Sequence, residues 1–191
     1  MSKLYYRYSA MAAGKSLQLL QIHHNYTTNQ QEVLLLTAQA DDRFGKGRIA
    51  SRLGVSAEAD VFTPSTDLFA MVDAFVNRAG QDIGAILVDE AQFLTEEQVR
   101  QLHRAVHLFQ VEIMCFGLRS DFQGKPFPGA AMLLTLAEDI EELKTMCACK
   151  KHKATMNMRV DANGNRVREG PQVLIGDGSY RQVCGRCFYA V

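Results

Sequence analysis

Four stretches of this chain are nearly continuous in apolar residues: KLYYRY at 3–8, EVLLLTA at 32–38, AILVDEAQF at 85–93 and VEIMCFGL at 111–118. The third keeps this character only until two acids interrupt it. None shows the strict polar–apolar alternation of a strand with one face in water. Strands of this kind are buried on both faces, as in a parallel sheet. Parallel neighbours need long crossovers, and helical patterns fill the gaps. After Ser16, Leu19, Ile22 and Tyr26 recur at helical spacing, with Leu20 beside them. Leu68, Val72, Phe75 and Val76 form a second stripe, and Gly80 is a natural stop. A third helix has Thr95 and Gln98 as a capping box and Val99, Leu102, Val106 and Phe109 as its apolar face. The stretch AAMLLTLAEDIEEL after Gly129 predicts a fourth. Strands alternating with helices predict an open α/β sheet.

The pattern changes near residue 144. Beyond it the chain is polar, turn-rich and cysteine-bearing, with DANGNRVREGPQ and GDGSY as its loops. This places a boundary between residues 1–143 and 144–191. The second segment is too short to hold much core by itself, so it needs a staple. Cys147 and Cys149, then Cys184 and Cys187, supply four thiols in two tight pairs. In a reducing compartment such pairs favour a metal over disulfides. Cys184 and Cys187 have the C-x-x-C spacing of a zinc knuckle, and Cys147 and Cys149 the shorter C-x-C. His152 is an alternative ligand, because Cys149-x-x-His152 also has usable spacing. Cys115, inside EIMCFG, reads as a small core residue.

Residues 8–20, YSAMAAGKSLQLL, run from the first apolar stretch into the first helical one and contain Gly14-Lys15-Ser16. Gly-Lys-Ser closes the phosphate-binding loop G-x-x-x-x-G-K-[ST], whose amides and helix N-terminus face an anion. In that setting Lys15 reaches the β- and γ-phosphates and Ser16 offers its hydroxyl to Mg²⁺. Ser9 stands where the first glycine belongs, at a cost of about 1–3 kcal/mol if its φ must be positive and little otherwise. A loop of this kind also needs an acid at the tip of another strand, and ILVDE supplies Asp89 and Glu90. At the C-terminal end of a parallel strand both sit in the ligand crevice. Asp89 suits the metal, and Glu90 can accept a proton from an attacking hydroxyl or water. Together these predict a P-loop NTPase-like core: an open, mainly parallel sheet flanked by helices, with a small C-terminal zinc-binding domain.

SAMAAGKS, DDRFG, LVDEAQF, GLRSDFQGKPF and the cysteine pairs, in this order, resemble the type II thymidine kinases, the bacterial and cytosolic family with a zinc-stapled lasso. The resemblance covers almost the whole chain. It implies transfer of the γ-phosphoryl group of ATP to the 5′-hydroxyl of thymidine or deoxyuridine, a homotetramer, inhibition by dTTP, and a cytoplasmic location. It implies that Ser9, Ala10, Met11, Ala12, Ala13, Gly14, Lys15 and Ser16 form the ATP loop. Asp89, Glu90, Ala91 and Gln92 would complete the nucleotide site, with Glu90 the general base. Arg43, in DDRF, matches an arginine that follows the transferring phosphoryl charge; otherwise it is a solvated loop residue. Met11, Phe93, Leu118, Phe122, Phe127 and Tyr180 match the nucleoside pocket, although without the resemblance core packing is the better explanation of Met11 and Leu118. Ile175 and Gly176 lie in VLIGDGSYR, the segment corresponding to the lasso that closes on the base mainly through its main chain. The resemblance also favours Cys147, Cys149, Cys184 and Cys187 as four ligands of a structural Zn²⁺, with His152 solvated.

Other classes are weaker. A P-loop ATPase without a nucleoside acceptor would share Lys15, Ser16 and Asp89 and use Glu90 on water, yet such proteins are generally longer. A zinc-ribbon nucleic-acid binder would use Lys150, Lys151, Lys153, Arg159, Arg166 and Arg168, which otherwise read as a solvated basic face. Lys plus Arg and Asp plus Glu both total 21, so no global field draws the chain to nucleic acid or an anionic membrane. The sequence predicts neither a transmembrane helix nor a secretory signal.

Overall fold

The computed structural model describes residues 1–41, 45–174 and 180–190. In chain order its elements begin with β1 (Leu4–Ser9), α1 (Lys15–Thr28), β2 (Glu32–Ala38), β3 (Arg48–Ala50), β4 (Ser56–Glu58), β5 (Asp60–Phe62) and α2 (Leu68–Ala79). Then come β6 (Ile83–Val88), a 3₁₀ turn at Ala91–Phe93, α3 (Glu96–Phe109), β7 (Ile113–Leu118), α4 (Pro128–Leu136) and β8 (Asp139–Glu142). The C-terminal part adds β9 (Thr145–Met146), β10 (Lys153–Ala154), β11 (Met156–Arg159), β12 (Tyr180–Val183) and α5 (Gly185–Tyr189).

Six strands form one sheet in the order β5-β2-β6-β7-β1-β8, and every pairing in it is parallel. The apolar runs lack alternation because each face has its own hydrophobic cluster. Leu34, Leu36, Ile86, Val88, Ile113 and Cys115 face one way and pack with the stripes of α2, α3 and α4. Leu35, Ala85, Leu87, Met114 and Phe116 face the other way and pack with Leu19 and Leu20 of α1 and with Ile49 of β3. Period two therefore persists inside each run, but both phases are apolar. Fully burying one such side chain contributes about 1.5–3 kcal/mol.

The capping box at Thr95 and Gln98 is present, and Gly80 ends α2 with φ +62°. The expected helix from residue 130 onward is shorter than the sequence indicates. It starts at Pro128, whose missing N–H costs nothing in the first turn, and ends at Leu136. Asp139–Glu142 instead pairs in parallel with Tyr5–Tyr8 as the edge strand β8. A neighbouring β1 edge satisfies these backbone groups, and tertiary pairing overrides the helical propensity of Glu and Leu. The short strands β3, β4 and β5 have no counterpart in the sequence reading.

The C-terminal segment forms two two-stranded ladders, β9 with β10 and β11 with β12. Its hydrophobic cluster is small: Cys147, Ala154, Val183, Cys184 and Phe188, joined by Ala10 from the turn after β1. Among the described residues no helix is long and apolar enough to cross a membrane.

Candidate active site

The turn after β1 carries its strain at an unexpected residue. Ser9 is not left-handed; Ala12 and Gly14 are, with φ +57° and +84°. An alanine in that region costs about 1–3 kcal/mol. Ser9 is buried, and its hydroxyl donates to the Ala10 carbonyl at 2.7 Å. The same oxygen accepts from Lys15 Nζ at 3.2 Å, and Lys15 also reaches the Ala10 carbonyl at 3.5 Å. A glycine at position 9 would leave the Lys15 ammonium without this oxygen.

Ser16, in the first turn of α1, donates to Asp89 Oδ2 at 2.8 Å. Asp89 follows the last residue of β6, and β7 lies between β6 and β1 in the sheet. The hydrogen bond therefore joins two strand ends across an intervening strand. Glu90 N–H donates to Asp89 Oδ1 at 3.0 Å. Burial, and then the neighbouring Glu90 charge, push the Asp89 carboxyl up to about 7, against the opposing pull of Ser16, the Glu90 amide and Lys15. A divalent cation at Asp89 and Ser16 would favour the carboxylate and reverse that shift. An oxygen-only pair, one hydroxyl and one carboxylate, fits Mg²⁺, which keeps several waters and takes few protein ligands.

Glu90 is left-handed, with φ +51°, and starts the 3₁₀ turn. Its Oε2 accepts from Gln92 Nε2 at 2.5 Å. The Gln92 oxygen accepts from the Leu118 amide at 3.0 Å, so a buried side chain links Glu90 to the end of β7. Gly117 makes room for this link. A Cβ there would lie 2.8 Å from Gln92 Oε1 and 2.9 Å from the Gln92 nitrogen. Gln92, which the sequence places in the nucleotide site, lines the cavity and also hydrogen-bonds Glu90.

Met11, the Gly14–Ser16 turn, Glu90, Gln92, Phe93, Leu118, Phe122, Phe127 and Tyr180 all border one cavity of about 420 Å³. Asp89 is buried and touches the cavity only through its bond to Ser16, and Ala91 is fully buried in the core. Phe93 and Phe127 meet edge to face, with centroids 6.1 Å apart. Phe127 also belongs to the sheet core, and Phe122 is 1% exposed, so both wall the cavity from buried positions. The Arg159 guanidinium lies 3.7 Å from the Phe122 ring centroid. It donates to the Tyr180 hydroxyl at 2.6 Å and to the Gln172 carbonyl at 3.3 Å. Arg159 is thus buried, not part of a solvated basic face. Arg166 likewise stacks on Phe188, 4.1 Å from its centroid.

Two polar links escaped the sequence reading. Asn157, buried on β11, accepts from the Met11 amide at 2.8 Å and ties the phosphate turn to the C-terminal segment. Asp121 accepts from the amides of Gln123 and Lys125 and, through its other oxygen, from Gln172 Nε2 at 3.1 Å. Neither has a spacing signature. A lone Asn on a short strand or a lone Asp in a Gly/Pro loop reads as ordinary turn chemistry.

Cys147, Cys149, Cys184 and Cys187 converge, with their sulfurs within 4.8 Å of one another. The His152 ring is not in the cluster; the His152 carbonyl accepts from the Cys147 amide at 2.9 Å. Burial raises the Cys147 thiol, but N–H groups of Cys149 and Cys184, at 3.4 and 3.1 Å from its sulfur, lower it further, below the usual thiol value. Hydrogen bonding to Cys184 and the other sulfurs pushes Cys187 up to about 12. Four crowded thiols cannot all ionise without a cation between them. Four soft donors with amide support on sulfur fit a closed tetrahedral zinc site.

Arg43, Ile175 and Gly176 lie outside the described residues.

A thymidine kinase family model matches residues 2–188. The thymidine kinase of Chromobacterium violaceum is 52% identical over 190 residues, 99% of each chain. That of Idiomarina loihiensis is 50% identical over 186 residues, 97% of this chain and 95% of the relative. That of Ruegeria pomeroyi is 50% identical over 186 residues, 96% of this chain and 92% of the relative.

Proposed function

This chain belongs to the thymidine kinase family, and on that premise we propose that it transfers the γ-phosphoryl group of ATP to the 5′-hydroxyl of thymidine. The observation that carries the chemistry is the 2.8 Å bond from Ser16 to Asp89, which puts the Gly-Lys-Ser turn beside the acidic tip of β6. Lys15 and the amides of residues 10–14 hold the phosphates of ATP, and Lys15 leaves Ser9 and Ala10 to do so. Mg²⁺ would be held by Ser16 and Asp89 and would neutralise phosphate charge. Glu90, held by Gln92, accepts the proton of the 5′-hydroxyl. That oxygen forms the new P–O bond, the bond between the γ-phosphorus and the bridging oxygen breaks, and ADP leaves. Arg43 follows the charge on the transferring group. Phe93, Phe127, Phe122 and Tyr180 wall the base, and Ile175 and Gly176 also serve nucleoside binding. Deoxyuridine fits the same reading.

Residues 1–143 serve as the nucleotide-binding domain and 144–191 as the lasso, with a structural Zn²⁺ on Cys147, Cys149, Cys184 and Cys187. The assembly is a homotetramer in the cytoplasm, inhibited by dTTP. A coupled assay for ADP tests the reaction: release that depends on thymidine supports it. Equal release without thymidine would instead establish the P-loop ATPase reading. Light scattering and dTTP titration test the assembly and its inhibition.

A further inference from the structure

We propose that His103, His107 and Glu138 form a second metal site, for Zn²⁺, remote from the phosphate end of the sheet and independent of the kinase reading. His103 and His107 stand four residues apart on α3, so their rings share one face of the helix. Their Nε2 atoms are 3.2 Å apart. Both face Glu138 Oε1, at 3.2 and 2.9 Å, just before β8. Ligand atoms about 2.0–2.1 Å from a tetrahedral Zn²⁺ are separated by roughly 3.3 Å. The three donors therefore already stand close to the corners of one face of such a tetrahedron. A cation satisfies all three at once.

The site is built on rigid parts. The adjoining side of α3 is locked into the core by Val99, Leu102 and Val106. Glu138 Oε2 accepts from the Leu4 amide at 2.7 Å, which leaves Oε1 aimed at the imidazoles. Such a second contact on a ligating carboxylate fixes its direction. The histidine and glutamate side chains remain 31–41% exposed, so an ion can enter without opening the fold. Two imidazoles and one carboxylate suit Zn²⁺ and related transition ions far better than Mg²⁺ or Ca²⁺. Three protein ligands leave one position for water. Leu4 begins β1 and Ser9 ends it, so the site lies about 16–17 Å from the phosphate turn, at the other end of the strand. Its effect is to clamp α3 to the start of the edge strand, not to alter phosphoryl transfer.

The test is zinc stoichiometry by equilibrium dialysis on the full chain, read with the absorption spectrum after Co²⁺ loading. The wild type should bind a second equivalent beyond the one with thiolate charge-transfer bands, with weaker d–d bands and no thiolate signature. His107→Ala and Glu138→Gln should each lose only that second equivalent, and excess Mg²⁺ should not displace it. Zinc should raise the melting temperature of the wild type above that of either variant. A single equivalent in the wild type, a second equivalent retained by both variants, or displacement by Mg²⁺ would overturn the assignment.

Discussion

The two ends of this chain are held together by different physics. The parallel sheet buries both faces of its strands under two hydrophobic clusters, and the phosphate turn and acidic tip rest on that frame. The C-terminal segment has a small hydrophobic cluster and four convergent thiols. One part is positioned by apolar area, the other by a few polar contacts and its cysteines. Both nonetheless border the same cavity, so chemistry should survive perturbation of the second part better than nucleoside binding does.

The largest expected effect belongs to the sheet. Glu90→Gln should reduce kcat about 10²–10⁴-fold while ATP binding persists, as measured by steady-state kinetics and nucleotide titration. Next comes the four-cysteine cluster. Chelation, or Cys184→Ala, should raise the KM for thymidine about tenfold or more, with the far-UV spectrum of the sheet largely kept. Loss of the sheet signal at the same chelator concentration would erase the contrast between the two parts. Gly117→Ala probes the junction inside the sheet. Overpacking against Gln92 should destabilise the fold by about 1–3 kcal/mol in chemical denaturation and lower kcat through a displaced Glu90. The smallest effect is Asn157→Ala, which removes the acceptor for the Met11 amide across the seam. It should cost about 1 kcal/mol, read as weaker ATP binding with little change in melting temperature.

Legibility in the sequence followed the range of the forces. The capping box at Thr95 and Gln98, the stop at Gly80 and the buried runs were readable because their causes are local or periodic. The stretch from Asp139 to Glu142 was misread because its helical pattern loses to an open strand edge supplied by residues 5–8, far away in sequence. Ser9 would carry strain only with a positive φ, which it does not adopt; the strain sits at Ala12, where only the completed turn sets φ. Arg159 looked solvated because one more arginine among basic residues carries no sign of the Phe122 ring it will cover.

The sequence by itself determined the α/β alternation, the phosphate turn, the Asp89–Glu90 tip and the four cysteines, because each is a short pattern whose chemistry is complete within a few residues. Only the tertiary structure decided that Gln92 holds Glu90 and that Asn157 holds the phosphate turn. It alone gathered His103, His107 and Glu138 around one point. Those arrangements join residues from separate elements, and a directional contact of a few ångströms exists only once the packing of the whole sheet has fixed both partners.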